Sequence, residues 1–236
     1  MIQDALSDCT TLDEATRAFA DTVKPLGVRD VVYGYMIEAK GYVKHDACFS
    51  VTIPDDLMEV YQGGGGLSTD PVPTTLNSHE EPYQMDFREL VHADHGPWLA
   101  QRKYMKALLQ ADYTTAWTFP VNDVEQIGYG AMTLFQDVEG TLNIDPDILK
   151  PLVDECHVLI KRNGLLRTLF DLSEKETTTL LLTASGKTAN DIASSDRVSV
   201  RTVELRLAKA REKLRARSTS EAIFKATNFG ILRDRP

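Results

Sequence analysis

Four stretches of the first 171 residues carry apolar side chains at the spacing of an amphipathic helix. In the first of them Leu12, Ala15, Phe19 and Val23 share one face, and Pro25 follows where the pattern stops. The same periodicity recurs three more times along this part of the chain. The helices predicted in this way span residues 4–24, 54–61, 98–111 and 145–170.

Four shorter segments between these helices are rich in β-branched and aromatic residues and predict strands. They pair along the chain as 31–36 with 48–53, across a polar turn near Lys40, and as 114–121 with 129–135. Helices before, between and after two strand pairs favour an antiparallel sheet covered by helices on both faces. We therefore predict an α+β fold whose amino-terminal part is an α-β-α sandwich.

The pattern changes after residue 172 to short helices, each preceded by a capping residue. Ser173, with Glu176 in the first turn, starts a helix that stops at Gly186. Thr188 caps a second helix, and Ser199 caps a third with Val203, Leu207 and Leu214 facing inward. A helix, a tight turn and a capped helix predict an all-α, four-helix helix-turn-helix domain over residues 173–236, after a domain over 1–166 and a linker over 167–172.

Charge is divided unevenly between the two predicted domains. Residues 172–236 hold 13 Lys and Arg against 8 Asp and Glu, whereas the first 171 residues hold 13 against 27. Seven cations lie on or just beyond the third helix, more than one helix can pair internally, and DNA phosphates are their natural partner. A solvated basic helix is the alternative that charge alone leaves open. The acidic first domain is expected to project away from a duplex.

Residue order supports the DNA reading. Leu172, Glu176, Leu180, Gly186-Lys187, Ile192-Ala193, Ser199, Thr202-Val203, Leu207 and Lys213-Leu214 resemble, position for position, the DNA-binding domain of the LuxR family of bacterial transcription regulators. The resemblance implies that the third helix contacts DNA through Arg201, Thr202, Glu204, Leu205, Arg206, Ala208 and Lys209.

These side chains suit different parts of a duplex. Glu204 suits cytosine N4 and Leu205 a thymine methyl, whereas Arg201, Arg206 and Lys209 suit phosphates. The turn before this helix departs from the family, with Asp196-Arg197 in place of an apolar residue and glycine. A positive φ at Arg197 would cost about 1 kcal/mol relative to glycine, and we expect a lengthened or distorted turn.

The first domain resembles the acyl-homoserine-lactone-binding domain of the same family. Tyr61 is followed nine residues later by Asp70-Pro71-Val72, and the resemblance implies that Tyr61 and Asp70 hydrogen-bond the ligand's amide, with Thr118 on the strand that closes the pocket. A carboxylate beside a buried N–H donor is chemically apt in its own right, since such a bond contributes about 1.5–3 kcal/mol. The alternative is that Tyr61 and Asp70 form a cap and a turn in an empty core.

Several family positions are altered. Leu57 replaces a tryptophan that donates to the lactone carbonyl, Met85 stands where an aromatic is usual, and Ala116 replaces a glycine. Either Trp98 or Trp117 supplies the missing donor, or the ligand is not a standard lactone. Methionine and leucine linings suit a long acyl tail or an aromatic group. The candidate ligand-binding residues are Tyr61, Asp70, Leu57, Val72, Met85, Trp98, Trp117 and Thr118.

Other candidate motifs carry little chemistry. The run Gly63–Gly66 has no Gly-Lys-Ser/Thr after it, so a mobile loop at a pocket mouth is a better interpretation than a phosphate loop. His92, Asp94 and His95 lack further ligands and are interpreted as a polar turn. Three cysteines without ligand or redox spacing predict reduced thiols in a cytosolic protein. No metal, cofactor, signal peptide or membrane span is expected.

The sequence predicts a ligand-responsive transcription regulator that acts as a homodimer on a two-fold operator in the cytoplasm. Its partners would be promoter DNA, a small-molecule signal and RNA polymerase. The alternative is a receptor-like antagonist that heterodimerises and binds little or no DNA, because the turn and Glu204 are unusual. An enzyme is not expected, since no nucleophile, base and orienting acid stand at meaningful spacing.

Overall fold

A computed structural model describes residues 2–37, 46–76, 80–92, 96–122, 128–137 and 145–232. The chain forms two compact units, one of residues 1–9 and 13–157 and the other of residues 10–12 and 158–236. The predicted linker, residues 167–172, lies inside the second unit, and the division into functional domains stays a prediction. The turn near Lys40, Asp94 and His95 lie outside the described residues.

The first unit combines helices with one sheet. The strands are β1 (Asp30–Ile37), β2 (Asp46–Val51), β3 (Tyr83–Asp86), β4 (Tyr113–Asn122) and β5 (Gly128–Asp137). The helices are α1 (Ile2–Leu6), α2 (Leu12–Val23), α3 (Asp55–Gly63), α4 (Val72–Leu76), α5 (Phe87–Leu90), α6 (Arg102–Gln110) and α7 (Pro146–Arg162), the last of which continues into the second unit.

All neighbouring strands are antiparallel, in the order β2-β1-β5-β4-β3. Since side chains alternate along a strand, residues that pair across strands share a face. Val32 pairs with Thr133, and Gly34 with Ala131, on what we call the cleft face. Tyr33 pairs with Met132 on the opposite face.

Helices cover both faces of the sheet. On the opposite face, the Tyr33 hydroxyl lies 3.0 Å from His157 Nδ1 of α7, and Ser50 donates to Asp13 of α2. On the cleft face, residues from α3, α5 and α6 pack with strand residues in one apolar cluster. Its fully or nearly buried members are Ile53, Leu57, Met85, Phe87, Val91, Met105, Leu108, Tyr113, Ala116 and Phe135. The predicted α-β-α sandwich with an antiparallel sheet is confirmed.

Several element boundaries differ from the sequence prediction. The expected helix 4–24 is interrupted between α1 and α2, where the Ser7 hydroxyl donates to the Asp4 carbonyl. Polar side chains that bond locally to the backbone compete with helix formation. The expected helix 145–170 ends at Arg162, because Gly164 adopts a left-handed conformation with φ of 64° and a 3-10 turn follows. Strand β3 was not predicted.

The second unit contains α8 (Glu174–Ala184), α9 (Ala189–Asp196), α10 (Val200–Lys213) and α11 (Thr219–Asn228). Each begins with a side-chain cap, supplied by Ser173, Thr188, Ser199 and Ser218. These caps satisfy amide groups that a helix leaves unpaired at its start. The predicted four-helix arrangement is confirmed.

Glu176 connects the first and third of these helices. Its carboxylate accepts from the Ser173 N–H at 2.9 Å, which completes a capping box, and from Lys213 Nζ at 2.8 Å at the end of α10. Burial alone would raise the pKa of Glu176, but the bonds from Lys213 and Ser173 outweigh it and hold this pKa below its usual range. The ionised carboxylate therefore fastens α10 to the start of α8.

We expect Glu176→Gln to destabilise α8 and α10 by about 1.5–3 kcal/mol at neutral pH, the range for hydrogen bonds to charged groups. Because the folded pKa is depressed, this contribution is present above the unfolded pKa and is lost as the pH falls through the folded one. Hydrogen exchange of α8 and α10 amides, measured in both chains across pH, should show the two converging in acid. A difference that persists in strong acid, where the Glu176 carboxyl is protonated, would mean that ionisation of Glu176 is not responsible.

Candidate functional site

A cleft opens between the helices and the cleft face of the sheet in the first unit. It holds about 920 Å³ of empty space, a figure that includes the open mouth and the solvent space in front of it. The sheet contributes Val32, Gly34, Met36, Phe49, Val51, Met85, Ala131, Thr133 and Phe135. The helices and turns contribute Met58, Tyr61, Leu67, Asp70, Val72, Pro73, Leu76, Phe87, Trp98, Gln101, Tyr104, Met105 and Leu108, and Tyr35 also borders the cleft.

Asp70 and Tyr61 form a hydrogen-bonded pair in this cleft. The Tyr61 hydroxyl on α3 donates to Asp70 Oδ2 at 2.9 Å, and the Val72 N–H donates to Oδ1 at 2.9 Å. Burial raises the pKa of Asp70, and the two hydrogen bonds partly offset that rise. Burial and the neighbouring Asp70 raise the pKa of Tyr61, so its hydroxyl stays protonated and donates. A carboxylate held in this way has acceptor capacity left for a ligand donor.

Gln101 fixes the turn that carries Asp70, and sequence reasoning missed it. Its Nε2 donates to the Gly66 carbonyl at 3.1 Å and to Thr69 Oγ1 at 2.7 Å. The Thr69 hydroxyl in turn donates to the Gly64 carbonyl at 3.0 Å. Hydrogen bonds to the Gly64 and Gly66 carbonyls therefore hold the glycine run beside the start of α6, and its interpretation as a mobile loop stays a prediction.

Tyr104 is a second residue that the sequence analysis overlooked. It lies three positions after Gln101 and so shares a face of α6 with it. The rings of Tyr104 and Tyr61 meet edge to face, with centroids 5.2 Å apart, a favourable aromatic geometry. Helix α6 thus holds both the turn before Asp70 and the tyrosine that donates to it.

The predicted ligand residues fall into two groups. Tyr61, Asp70, Val72, Met85 and Trp98 all line the cleft. The structure does not bring Leu57, Trp117 and Thr118 to the lining.

Each of the three residues outside the lining has a definite place. Leu57 is buried in the apolar cluster beneath the cleft. Trp117 pairs with Leu134 and so lies on the opposite face of the sheet. Thr118 is fully buried beside Thr133, with 3.1 Å between their hydroxyl oxygens.

The charge inside the cleft comes from a single acidic side chain among the described lining residues. Within the part of the chain that the structure describes, Asp70 is the only charged residue in the lining. Its carboxylate is therefore not neutralised by a cation there, and it favours ligand groups that donate hydrogen bonds. At the floor, Gly34 presents no side chain, and a Cβ at this position would approach only the Ala131 carbonyl, at 4.0 Å.

In the second unit, α10 presents a polar face to solvent. Arg201, Glu204 and Lys209 are exposed, and Leu205 is 55% exposed. Ala208 is partly buried on the same side of the helix. Val203, Ala210 and Leu214 face the core. The exposed face is free to contact a partner such as the DNA major groove.

Two of the predicted DNA-contacting residues have structural roles. The Arg206 guanidinium forms an ion pair with Asp196 at the end of α9. Thr202 takes part in the cap of α10, since its N–H donates to Ser199 Oγ at 3.1 Å.

The turn between α9 and α10 is short and regular. Arg197 has a φ of 56°, and its N–H and that of Val198 both donate to the Ala193 carbonyl. This is a standard left-handed helix end, with arginine where glycine is usual. Arg197 thus adopts the positive φ whose cost we considered, and the expected lengthening or distortion is absent from this described turn.

Among the described residues, no group of three or more His, Cys, Asp and Glu side chains is arranged to hold a metal ion. Likewise, none of the helices in the described ranges is long and apolar enough to cross a membrane.

Comparison with known proteins identifies both parts of the chain. The model of the autoinducer binding domain matches residues 11–150, more than half of the chain. The model of bacterial regulatory proteins of the luxR family matches residues 171–226. A search of the curated proteins found no match to the sequence.

Solved structures share this fold over the whole chain. Escherichia coli SdiA is 17% identical, with a TM-score of 0.57, and the match covers 99% of this chain and 97% of SdiA. SdiA in complex with octanoyl-rac-glycerol is 16% identical, with a TM-score of 0.55 and coverage of 100% and 95%. With both family models in chain order and this fold shared, the chain belongs to the LuxR family of bacterial regulatory proteins, with an amino-terminal autoinducer-binding domain.

Proposed function

We propose that this protein is a quorum-sensing transcription regulator that binds an acyl-homoserine lactone or a related amphiphile in the cleft and controls promoter DNA through α10. The observation that carries the proposal is the Asp70 carboxylate, held by Tyr61 and Val72 in an otherwise uncharged and largely apolar cleft. Such a site suits a ligand with one N–H or O–H donor and an apolar tail. The SdiA complex with octanoyl-rac-glycerol supports an amphiphile of this kind.

Trp98 is the proposed partner of a ligand carbonyl. Leu57, at the position of the family's tryptophan, is buried outside the lining, and Trp117 lies on the opposite face of the sheet. Trp98 is the tryptophan that borders the cleft. Its indole N–H is a donor that a lactone or ester carbonyl needs once water is excluded.

On DNA, we propose that Arg201 and Lys209 hold phosphates while Glu204 and Leu205 contact base edges. The protein would act in the cytoplasm as a homodimer on a two-fold operator, with RNA polymerase as a further partner. The regular turn at Arg197 removes one of the two reasons for the antagonist alternative.

We expect Asp70→Asn to weaken ligand binding by about 2 kcal/mol, roughly thirtyfold, while the protein stays folded. Asparagine loses the charge and presents an amide donor toward the ligand's donor. Tyr61→Phe, the milder change, should cost less because the Val72 N–H still holds the carboxylate. The ligand is first identified by mass spectrometry of the molecules that copurify with the protein from culture extracts. Its affinity for the wild type and for each variant is then measured by calorimetry.

The pH dependence of binding supplies a further test of Asp70. Burial raises the pKa of its carboxyl in the free protein, so protonation begins at a higher pH than for an exposed aspartate. Binding should therefore weaken as the pH falls through that pKa, and Asp70→Asn should lose this dependence. Equal affinities for the two proteins at every pH would rule out the proposed role of the carboxylate.

Trp98→Phe should weaken binding of a carbonyl-bearing ligand by about 1–3 kcal/mol, or roughly five- to 150-fold, because a buried carbonyl is left unpaired. Trp117→Phe is the matched control, since it removes an indole from the opposite face of the sheet, and it should leave affinity unchanged. If both variants bind as wild type does, the carbonyl is satisfied elsewhere.

DNA binding tests the proposal as a whole. Sites selected by the full chain from random DNA should be two-fold symmetric, and the log of affinity should fall with log salt at a slope of about −5 for roughly six phosphate contacts per dimer. Lys209→Ala removes one contact per protomer and should reduce the slope to about −3.6, whereas exposed Lys106→Ala should leave it unchanged. Failure of the folded protein to select any site would favour the antagonist alternative.

A further inference from the structure

Methionines are concentrated around the cleft. The chain has six methionines, and Met36, Met58, Met85 and Met105 all line the cleft. They come from four different elements, two of them strands of the sheet (β1 and β3) and two of them helices that pack over it (α3 and α6). Three are nearly or fully buried, with exposed fractions of 4%, 7% and 1% for Met36, Met85 and Met105.

Buried positions on the opposite face of the sheet are mostly filled by residues other than methionine, so the need to fill a core does not by itself explain the methionines around the cleft. Met132 is buried there, between Tyr33 and Phe119 on the neighbouring strands, and it is the one methionine that the described residues place on that face. Methionine has an unbranched side chain with three rotatable bonds and a polarisable sulfur, and it repacks around different shapes at small energetic cost. Surfaces rich in methionine accordingly bind varied partners.

We propose that the four methionines make the apolar part of the cleft adaptable, so that the protein accepts a series of amphiphiles with flexible tails of different length. This rests on the proposed ligand-binding function and extends it to ligand range. Asp70 and Tyr61 fix the polar end, through hydrogen bonds of defined geometry, while the tail meets side chains that move aside or close in. The head group is thus recognised strictly and the tail loosely.

The test uses probes that do not depend on the identity of the signal. Straight-chain alcohols from butanol to nonanol displace the neutral fluorophore N-phenyl-1-naphthylamine from the full-length protein. In an adaptable cleft, affinity rises by about fourfold for each added methylene without a break, the increment expected for burying one CH₂ group. A rigid cleft instead shows a single preferred length with affinity falling on both sides.

Two variants assign the effect to the methionines. Met58→Leu/Met85→Leu/Met105→Leu keeps apolar volume but replaces flexible side chains with branched ones, a type of exchange that cores tolerate. In this variant the affinity should stop increasing with chain length at least two methylenes earlier than in wild type. Its affinity for nonanol should therefore be lower by roughly tenfold or more. Met132→Leu, the control on the opposite face, should follow wild type.

The outcomes separate this inference from the proposed function. A wild-type profile with one sharp optimum, absence of displacement by any alcohol, or a folded triple variant that matches wild type would each overturn the inference. If the triple variant does not fold, the wild-type profile decides alone. A smooth profile in a protein whose DNA binding no small molecule alters would leave the inference standing and count against the regulator.

Discussion

The first domain depends on keeping one carboxylate in an apolar cleft without a cation beside it. Removing a charge from water is unfavourable, and hydrogen bonds to the charged form are the remaining means of holding it. The Tyr61 hydroxyl and the Val72 N–H supply them, from α3 and from the start of α4. Gln101 fixes the turn that leads into Asp70, so α3, α4 and α6 all converge on this group. The remaining acceptor capacity of the carboxylate then sets what the cleft can recognise.

The second domain consists of short helices that share only a small apolar core, so other interactions must help to hold them in place. Each helix has a side-chain cap, and Glu176 joins the start of α8 to the end of α10 through Lys213. At the turn, Arg197 accepts a left-handed conformation that costs about 1 kcal/mol relative to glycine. The ion pair between Asp196 and Arg206 accompanies this altered turn and ties the end of α9 to α10. The helix-turn-helix geometry therefore persists with a changed turn sequence.

Periodicity and capping residues predicted most elements, because both are local properties of the chain. Strand β3 was missed since four residues, Tyr83–Asp86, are too few to show alternation. Gln101 was detectable in principle, as it precedes Met105 by four positions on the buried stripe of α6, but its partners come from a distant turn. Because neighbouring residues of a strand point to opposite faces of the sheet, the sequence alone places Trp117 and Thr118 on different faces. Which of the two faces borders the cleft, however, depends on the pairing of β4 with β5. Strand pairing over such distances along the chain cannot be predicted from the local pattern of apolar and polar residues.

The bare floor of the cleft at Gly34 has a consequence for how such a receptor can diverge. A Cβ there would meet nothing closer than 4.0 Å, so the backbone tolerates a side chain and only the empty space would be lost. Alanine at this one position would therefore fill part of the cleft without requiring its backbone to move. The volume of the cleft can in this way diverge through a single substitution, while the hydrogen bonds that hold Asp70 stay as they are.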